Sequence, residues 1–374
     1  MTDQTTALLA GVRVLDLSQY LPGPYATQLL ADMGAEVVKV EPPAGDPMRF
    51  LDQPADSDKV SPVYRAINAG KAVINLNLKE EADRAVLRDL VARADILLES
   101  FRPGVMARLG FSPDELRGMN SRLVHVALSG WGQTGPYALR AGHDINYLAL
   151  AGGLAATGTA DEPVAPFPPT GDMASGMMAA LSALGGLLRA RATGEGCFLD
   201  VSIMETALSW QSFGLAAAAG GAPIQRGQSL LSGGAACYHL YRTADDRWLS
   251  VGAIEAKFWQ LFCDTLQHPE WAARQHEQPM PQTGLIGDVQ AVIAEQSLDH
   301  WCDVFRNVDC CVEPVLDWHE IAHHEHIAAR GQIDVSADIP AALIGLRIDG
   351  NAPGPRRPVR SLGAPAVLAA WQGD

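Results

Sequence analysis

Residues 12–40 read VRVLDLSQYLPGPYATQLLADMGAEVVKV, and their patterning decides the fold. Val12–Leu17 is a short apolar run rich in branched side chains, the signature of a buried strand. Pro24–Met33 is helix-like, and Gly34 fits the C′ position at which a left-handed residue ends a helix. Glu36–Val40 is a second strand.

The same alternation continues outward. Ala72–Leu78 reads as a strand, Glu80–Ala94 as a helix with apolar residues at helical spacing, and Ile96–Glu99 as a strand. Ser112-Pro113-Asp114-Glu115 is a capping box with proline at the first helical position, so a helix begins there. Leu123–Leu128 is another strand. A long helix over Gly171–Ala192, stopped at Thr193-Gly194, carries enough Ala, Gly and Ser to let another backbone approach closely. Phe198–Ile203 (strand) and Glu205–Ala218 (helix) follow. Alternation of this kind predicts an α/β fold with a mostly parallel sheet covered on both faces.

The pattern then changes. Gly220–Gly234 is a Gly-rich loop region, and Tyr238–Arg242 with Trp248–Val251 forms a hairpin around Ala244-Asp245-Asp246. Helical segments run to about Arg330. Residues 225–325 are therefore read as a smaller domain, and residues 1–224 plus 326–374 as the large one. The last 40 residues are rich in Pro and Gly and carry no clear pattern.

Composition narrows the function. Of the 374 residues, 48% are hydrophobic and 19% charged, enough for a sizeable core. The formal net charge of −15 argues against nucleic acid or an anionic membrane as a general partner. Met177–Leu188, the most apolar stretch, is interrupted by Ser182, Gly185 and Gly186 and reads as a core helix rather than a membrane span. MTDQTTALLAGVRV has no basic region before its apolar part, so the expected location is the cytoplasm. The six cysteines form no C-x-x-C pair and are expected to be buried, reduced thiols. Neither G-x-x-x-x-G-K-[ST], G-x-S-x-G nor a G-x-G-x-x-G after the first strand is present, which disfavours a simple NTPase, an α/β-hydrolase or a common dinucleotide enzyme.

Several stretches in sequence order, LPGPYATQLLADMGAEVVKVEPPAGDPMR, GKAVINLNLK, DILLESFRPGVMARLG and SGWGQTGPY, resemble the family III CoA-transferase (CaiB/BaiF) superfamily. Three more, AGHDINYLALAGGLAATG, YRTADDRWLSVGAIEAKFW and CVEPVLDWHEIAHHEHIAARG, are similar to 2-methylacyl-CoA racemases within it. Leu231-Ser232-Gly233-Gly234-Ala235-Ala236 also lies closer to the racemase pattern than to the longer Gly-rich loop of the transferases. The resemblance implies a Rossmann-like large domain, an inserted smaller domain and an interlocked homodimer. It also implies an acyl-CoA thioester substrate, with coenzyme A as part of that substrate and no prosthetic group.

A racemase's two bases fall, by resemblance, on His143 of GHD and Asp172 of TGD. Inverting the carbon next to a thioester needs one group to take the α-proton and another to return it from the opposite face, which an imidazole and a carboxyl can do in both directions. Asp172 stands at the start of the long helix, so a plain N-cap is the other reading of that residue. In a transferase the same carboxylate would attack the acyl-CoA, and His143 would be unnecessary. Glu255 matches a glutamate that pairs with the racemase histidine, and a solvated acid at a helix start is its other reading.

The resemblance also gives the CoA contacts. Arg108 and Arg140 occupy phosphate- or CoA-contacting positions, with forked donors suited to them. Arg102 and Leu76, Asn77, Leu78 and Lys79 line the adenosine side, Ser100 and Phe101 form a wall of the site, and Gly142, Asp144 and Tyr147 complete it around GHD. Pro42 stands where racemases can carry an arginine, leaving Lys39 and Arg49 as the nearby cations. His319, His323, His324 and His326 cluster, but the resemblance implies no metal there. Trp210, Trp248, Trp259 and Trp318 read as core or interface anchors.

Overall fold

The computed structural model of the chain describes residues 7–53, 60–336 and 339–372. Its strands are β1 (Arg13–Leu17), β2 (Glu36–Glu41), β3 (Ala72–Asn75), β4 (Ile96–Glu99), β5 (Val124–Ser129), β6 (Cys197–Ser202), β7 (Tyr238–Arg242), β8 (Trp248–Gly252), β9 (Val312–Pro314), β10 (Ile333–Asp334), β11 (Ala341–Ala342) and β12 (Arg360–Ser361). Two compact units emerge. The first holds the residues up to Ala151, Phe167–Trp210 and those from Ala322 on; the second holds Gly152–Pro166 and Gln211–Ile321. Residues 152–166 and 211–224 thus group with the second unit, whereas their sequence places them with the first.

In the first unit a seven-stranded sheet runs in the order β12-β3-β2-β1-β4-β5-β6, and every pairing is parallel. The order reverses at β1, which makes the β1/β4 crevice at the carboxyl ends of the strands the expected ligand position in such a sheet. Alternation along the strands divides the core. Val14, Val37, Ile96 and Val126 face one way, toward Ala26 and Leu30 and the Ala179, Ala183 and Leu187 stripe of the long helix. Leu15, Val38 and Leu97 face the other way, toward Leu87, Leu90, Phe111 and Trp371.

The capping box is formed: Ser112 Oγ accepts from Glu115 N–H (3.3 Å), and Ser112 N–H donates to the Glu115 carboxylate (2.7 Å). The long helix spans Thr170–Thr193 and ends on Gly194 in the left-handed region (φ 77°). Its small residues do admit another backbone, since a Cβ on Gly176 would lie 2.7 Å from the carbonyl oxygen of Pro22, in the helix Pro22–Asp32. By length and composition this helix could cross a membrane, and half of its most apolar window is buried within the protein.

Some boundaries differ from the sequence reading. The strand expected over Ala72–Leu78 stops at Asn75, because Asn77 N–H turns to the Asp83 carboxylate (2.6 Å). The helix expected over Glu205–Ala218 is two, Ile203–Ser209 and Ser212–Ala219. The unpatterned tail supplies edge strand β12 and the helix Ala364–Gln372, which buries Trp371.

The second unit carries the antiparallel sheet β7-β8-β9. Asp246 takes a left-handed conformation (φ 61°) in the β7–β8 turn. Trp259, Phe262, Trp301 and Phe305 fill its core, and both indole N–H groups are satisfied by carbonyls, Trp259 by Trp271 (3.1 Å) and Trp301 by Ile293 (2.8 Å). Of the four tryptophans read as anchors, Trp259 is buried, while Trp210, Trp248 and Trp318 are exposed. All six cysteines are unpaired; Cys237, Cys263 and Cys310 are buried, but Cys311 is exposed.

Candidate active site

The site residues of the first unit gather at the carboxyl edge of the sheet. Leu76–Lys79 follow β3, Ser100–Arg102 follow β4, and the loop carrying Gly142 and His143 follows β5. Asp172 is not the N-cap of its helix. That place belongs to Pro169, and Asp172 is the third helical residue.

A proline has no side-chain acceptor for the free N–H groups of a first turn. Here the Asp144 carboxylate, from the neighbouring helix Asp144–Leu150, accepts the Asp172 N–H at 2.8 Å. Burial, reinforced by the negative charge of Asp144, pushes the Asp172 carboxyl up to about 7. A carboxyl near neutrality can take and give a proton around physiological pH.

His143 is the N-cap residue of the helix Asp144–Leu150, and its ring is exposed. Its backbone is fixed on both sides. His143 N–H donates to Asn146 Oδ1 (3.0 Å), and the buried Tyr147 hydroxyl donates to the carbonyl of Gly142 (2.6 Å). Gly142 permits this closeness, because a Cβ there would meet Tyr147 Cε1 at 2.8 Å. Burial, with Asp172 and Asp144 against Arg102, raises Tyr147 to about 12, so it stays a donor. Asp144, Tyr147, Arg102 and Asp172 therefore share one electrostatic environment.

A cleft of about 520 Å³ opens beside this loop, lined by Trp131, Tyr137, Arg140, Ala141, Asn146 and Leu150. The Arg140 guanidinium lies 3.9 Å from the Tyr137 ring centroid, and Trp131 meets Tyr147 edge-on at 4.8 Å. Trp131, Tyr137 and Asn146 were not singled out from the sequence; SGWGQTGPY held the first two, but nothing in its spacing marks an aromatic cleft.

The remaining candidates are distributed as follows. Arg102, Arg108, Arg140 and Lys79 are exposed, whereas Leu76 belongs to the core. Ser100 Oγ accepts from Gln19 N–H (3.0 Å), and Phe101 N–H donates to the Glu99 carboxylate (2.7 Å). Leu78 and Lys79 give their carbonyls to Arg84 (both 3.0 Å). In the second unit, Glu255 is exposed as the N-cap residue of the helix Ala256–Thr265. Among the described residues no three His, Cys, Asp or Glu side chains are placed to hold a metal ion.

Both cations near Pro42 have carboxylate partners. Lys39 is fully buried between Asp46 (3.0 Å) and the carbonyl of Ser18 (2.7 Å), and Arg49 is bound to Glu41 (2.6 Å) over the ring of Tyr64. Lys39 belongs to a buried ionic network missed by the sequence reading. Asp16 accepts from Thr27 Oγ1 (2.5 Å) and Lys71 Nζ (3.1 Å) and from Ser18 N–H (3.0 Å). Burial would raise Asp16, but the charges of Lys71 and Lys39 with the Ser18 and Thr27 hydroxyls hold it well below the usual carboxylate range. Burial pushes Lys71 down to about 8, against the pull of Asp16.

The strand order, with the candidate residues on loops that follow β3, β4 and β5, defines an α/β protein of the kind whose ligands bind at the carboxyl ends of the strands. Residues 9–358 match the model of CoA-transferase family III, and the chain belongs to that family. It is 38% identical over 339 residues to the human alpha-methylacyl-CoA racemase, covering 88% of this chain and 83% of that protein. It is 33% identical over 356 residues to the acetyl-CoA:oxalate CoA-transferase of Acetobacter aceti, covering 91% and 89%. A CAIB/BAIF family protein from Brucella suis has the same fold, with TM-score 0.83 at 24% identity over 96% of this chain and 98% of that one. The family matches support an enzyme acting on acyl-CoA.

Proposed function

We propose that the protein is a 2-methylacyl-CoA racemase, an isomerase that inverts the α-carbon by 1,1-proton transfer. The α-C–H bond breaks as one group takes the proton, its electron pair moves into the thioester carbonyl to form an enolate, and a second group returns a proton to the opposite face. His143 and Asp172 are the two groups, each serving as base in one direction and acid in the other. Glu255 is assigned to the same acid–base chemistry. Proton transfer of this kind calls for no metal or redox group, and coenzyme A enters only as part of the substrate.

The observation that carries the reading is the Asp172 carboxyl, held near neutrality beside Asp144. An acid–base residue needs both protonation states at working pH. A carboxylate that must attack a thioester works only when ionised, and burial beside Asp144 disfavours that form. The similarity to the human racemase over most of the chain supports the same choice.

A second reading is favoured by the match to the Acetobacter oxalate transferase across 91% of the chain. In it Asp172 forms a mixed anhydride with the acyl group, then a thioester with CoA, and passes CoA to an acceptor acid.

A homodimer belongs to the proposal. Met177, Leu181 and Leu188 stand exposed on one face of the long helix, a pattern suited to a second copy. Incubating the protein with (R)- and (S)-2-methylacyl-CoA in heavy water, without an acceptor acid, tests the activity by NMR. Deuterium entry at the α-carbon with inversion is expected. No exchange, with CoA passing to an added carboxylic acid, would overturn the racemase reading in favour of the transferase.

A further inference from the structure

Asp144 sits where a CoA contact was expected from its place in GHD, yet its carboxylate turns away from its own helix to one 28 residues further along the chain. The long helix needs this. Its N-cap, Pro169, has no capping side chain, and the Asp172 N–H is among the first-turn donors that a helix leaves without a partner. Asp144 supplies the missing acceptor from outside the helix. Gly171 makes room for it, because a Cβ there would lie 2.9 Å from Asp144 Oδ1. The glycine of TGD is thus a spacing requirement for the aspartate of GHD.

We propose that Asp144 is a positioning residue for Asp172: its carboxylate fixes the first turn of the long helix and keeps a negative charge beside the Asp172 carboxyl. The inference rests on the racemase reading given above, in which Asp172 must exchange a proton with carbon. Capping alone could be done by an uncharged acceptor; a second carboxylate does more, because it disfavours ionisation of its neighbour. Asp144 is the charged group acting on Asp172. The other groups around this corner are the Tyr147 hydroxyl, which donates to Gly142, the Arg102 guanidinium, whose charge acts on Tyr147, and the Tyr25 ring, which packs at Gly176 a turn further on. Through Asp144 the GHD loop and the TGD turn are coupled, since the residue that follows His143 sets the behaviour of Asp172.

Three variants separate charge from cap. Asp144→Asn keeps an acceptor oxygen and removes the charge, Asp144→Ala removes both, and Gly171→Ala displaces the carboxylate without changing it. Asp172 is titrated by carbonyl-13C NMR on aspartate-labelled protein, assigned with Asp172→Asn, and α-deuterium exchange is followed against pH. In Asp144→Asn the Asp172 titration is expected to fall by about 1 unit, less than burial raises it, and the Asp172 limb of the exchange profile to move with it. Asp144→Ala is expected to lose roughly 100-fold in exchange rate, with Asn restoring part of it. Superimposable titrations in wild type and Asp144→Asn would overturn the proposal. A shifted titration in a protein that exchanges no α-proton would leave the coupling standing and sink the racemase reading instead.

Discussion

Replacing Asp172 by Asn should stabilise the protein, and only above mildly acidic pH. The Asp172 carboxyl is pushed from an ordinary 3.8 up to about 7, first by burial and then by Asp144. At ~1.36 kcal/mol per unit, that shift is worth at most ~4 kcal/mol. Asp172 is only half-buried, and solvent screening reduces the figure to about 1–3 kcal/mol. The helix N-terminus pulls the other way by ~0.3–1 kcal/mol and does not reverse it. The sign follows from proton binding. Between pH 4 and 7 the folded protein keeps a proton that the unfolded chain has released, so the stability that protonated Asp172 provides is lost as pH rises to about 7 and is fully absent above it. Asn has nearly the same shape and never ionises. Urea unfolding of both proteins at pH 5.5, 6.5, 7.5 and 8.5 measures the difference. The advantage of Asn should grow up to about pH 7 and then level off. A difference that does not change with pH, or an Asn variant less stable at pH 8.5, would refute the reasoning; the outcome is independent of what the enzyme acts on.

Other outcomes follow from the same geometry. His143→Ala should lower inversion in the exchange assay by at least about 100-fold while leaving the unfolding midpoint unchanged, because its ring is exposed; a transferase would barely notice the change. Lys71→Met should cost about 3–5 kcal/mol, because it strands the fully buried Asp16 carboxylate, and adding Asp16→Asn should recover part of that loss in urea titrations. Gly176→Ala should cost about 1–3 kcal/mol, since the new Cβ meets a backbone oxygen rather than a yielding side chain; an unchanged unfolding midpoint would show that the two helices can part freely.

Most of the first unit was legible because parallel strands are buried on both faces and read as unbroken apolar runs, while the helices carry their own caps and stops. β12 was not, since two residues cannot carry a period; it is a strand only because β3 offers an edge, with Leu362 N–H on the Val73 carbonyl at 2.8 Å. His143 and Asp172 were singled out through the resemblance of GHD and TGD to a racemase's two bases. That Asp144 belongs to Asp172 was hidden, because a hydrogen bond across 28 residues leaves no local spacing. The burial of Lys39 was hidden for a related reason: a lysine in a strand looks like a surface cation until the acids around it are known. Four buried ionic residues, Asp16, Lys39, Asp46 and Lys71, come from four separate segments, and no one-dimensional pattern joins them.

That network explains how a sheet with dinucleotide-binding strand order lacks the glycine fingerprint usual to it. In such sheets the turn after β1 and the N-terminus of the next helix offer free N–H groups to a pyrophosphate. Here three of those N–H groups are already taken: Ser18 by Asp16 (3.0 Å), Gln19 by Ser100 (3.0 Å) and Tyr20 by Asp46 (3.4 Å). Lys39 holds the carbonyl of Ser18. The following helix starts at Pro22, and Pro24 stands in its first turn, so two of its early N–H groups do not exist. Buried side chains have replaced the ligand as partners of the turn. On the proposed reading the phosphates are met by side chains, the exposed Arg102, Arg108 and Arg140. Substituting any one of these should weaken binding of free CoA in calorimetry and steepen nothing at the reacting carbon, raising KM more than it lowers kcat. An arginine variant that lowered kcat alone would place that side chain at the chemistry instead.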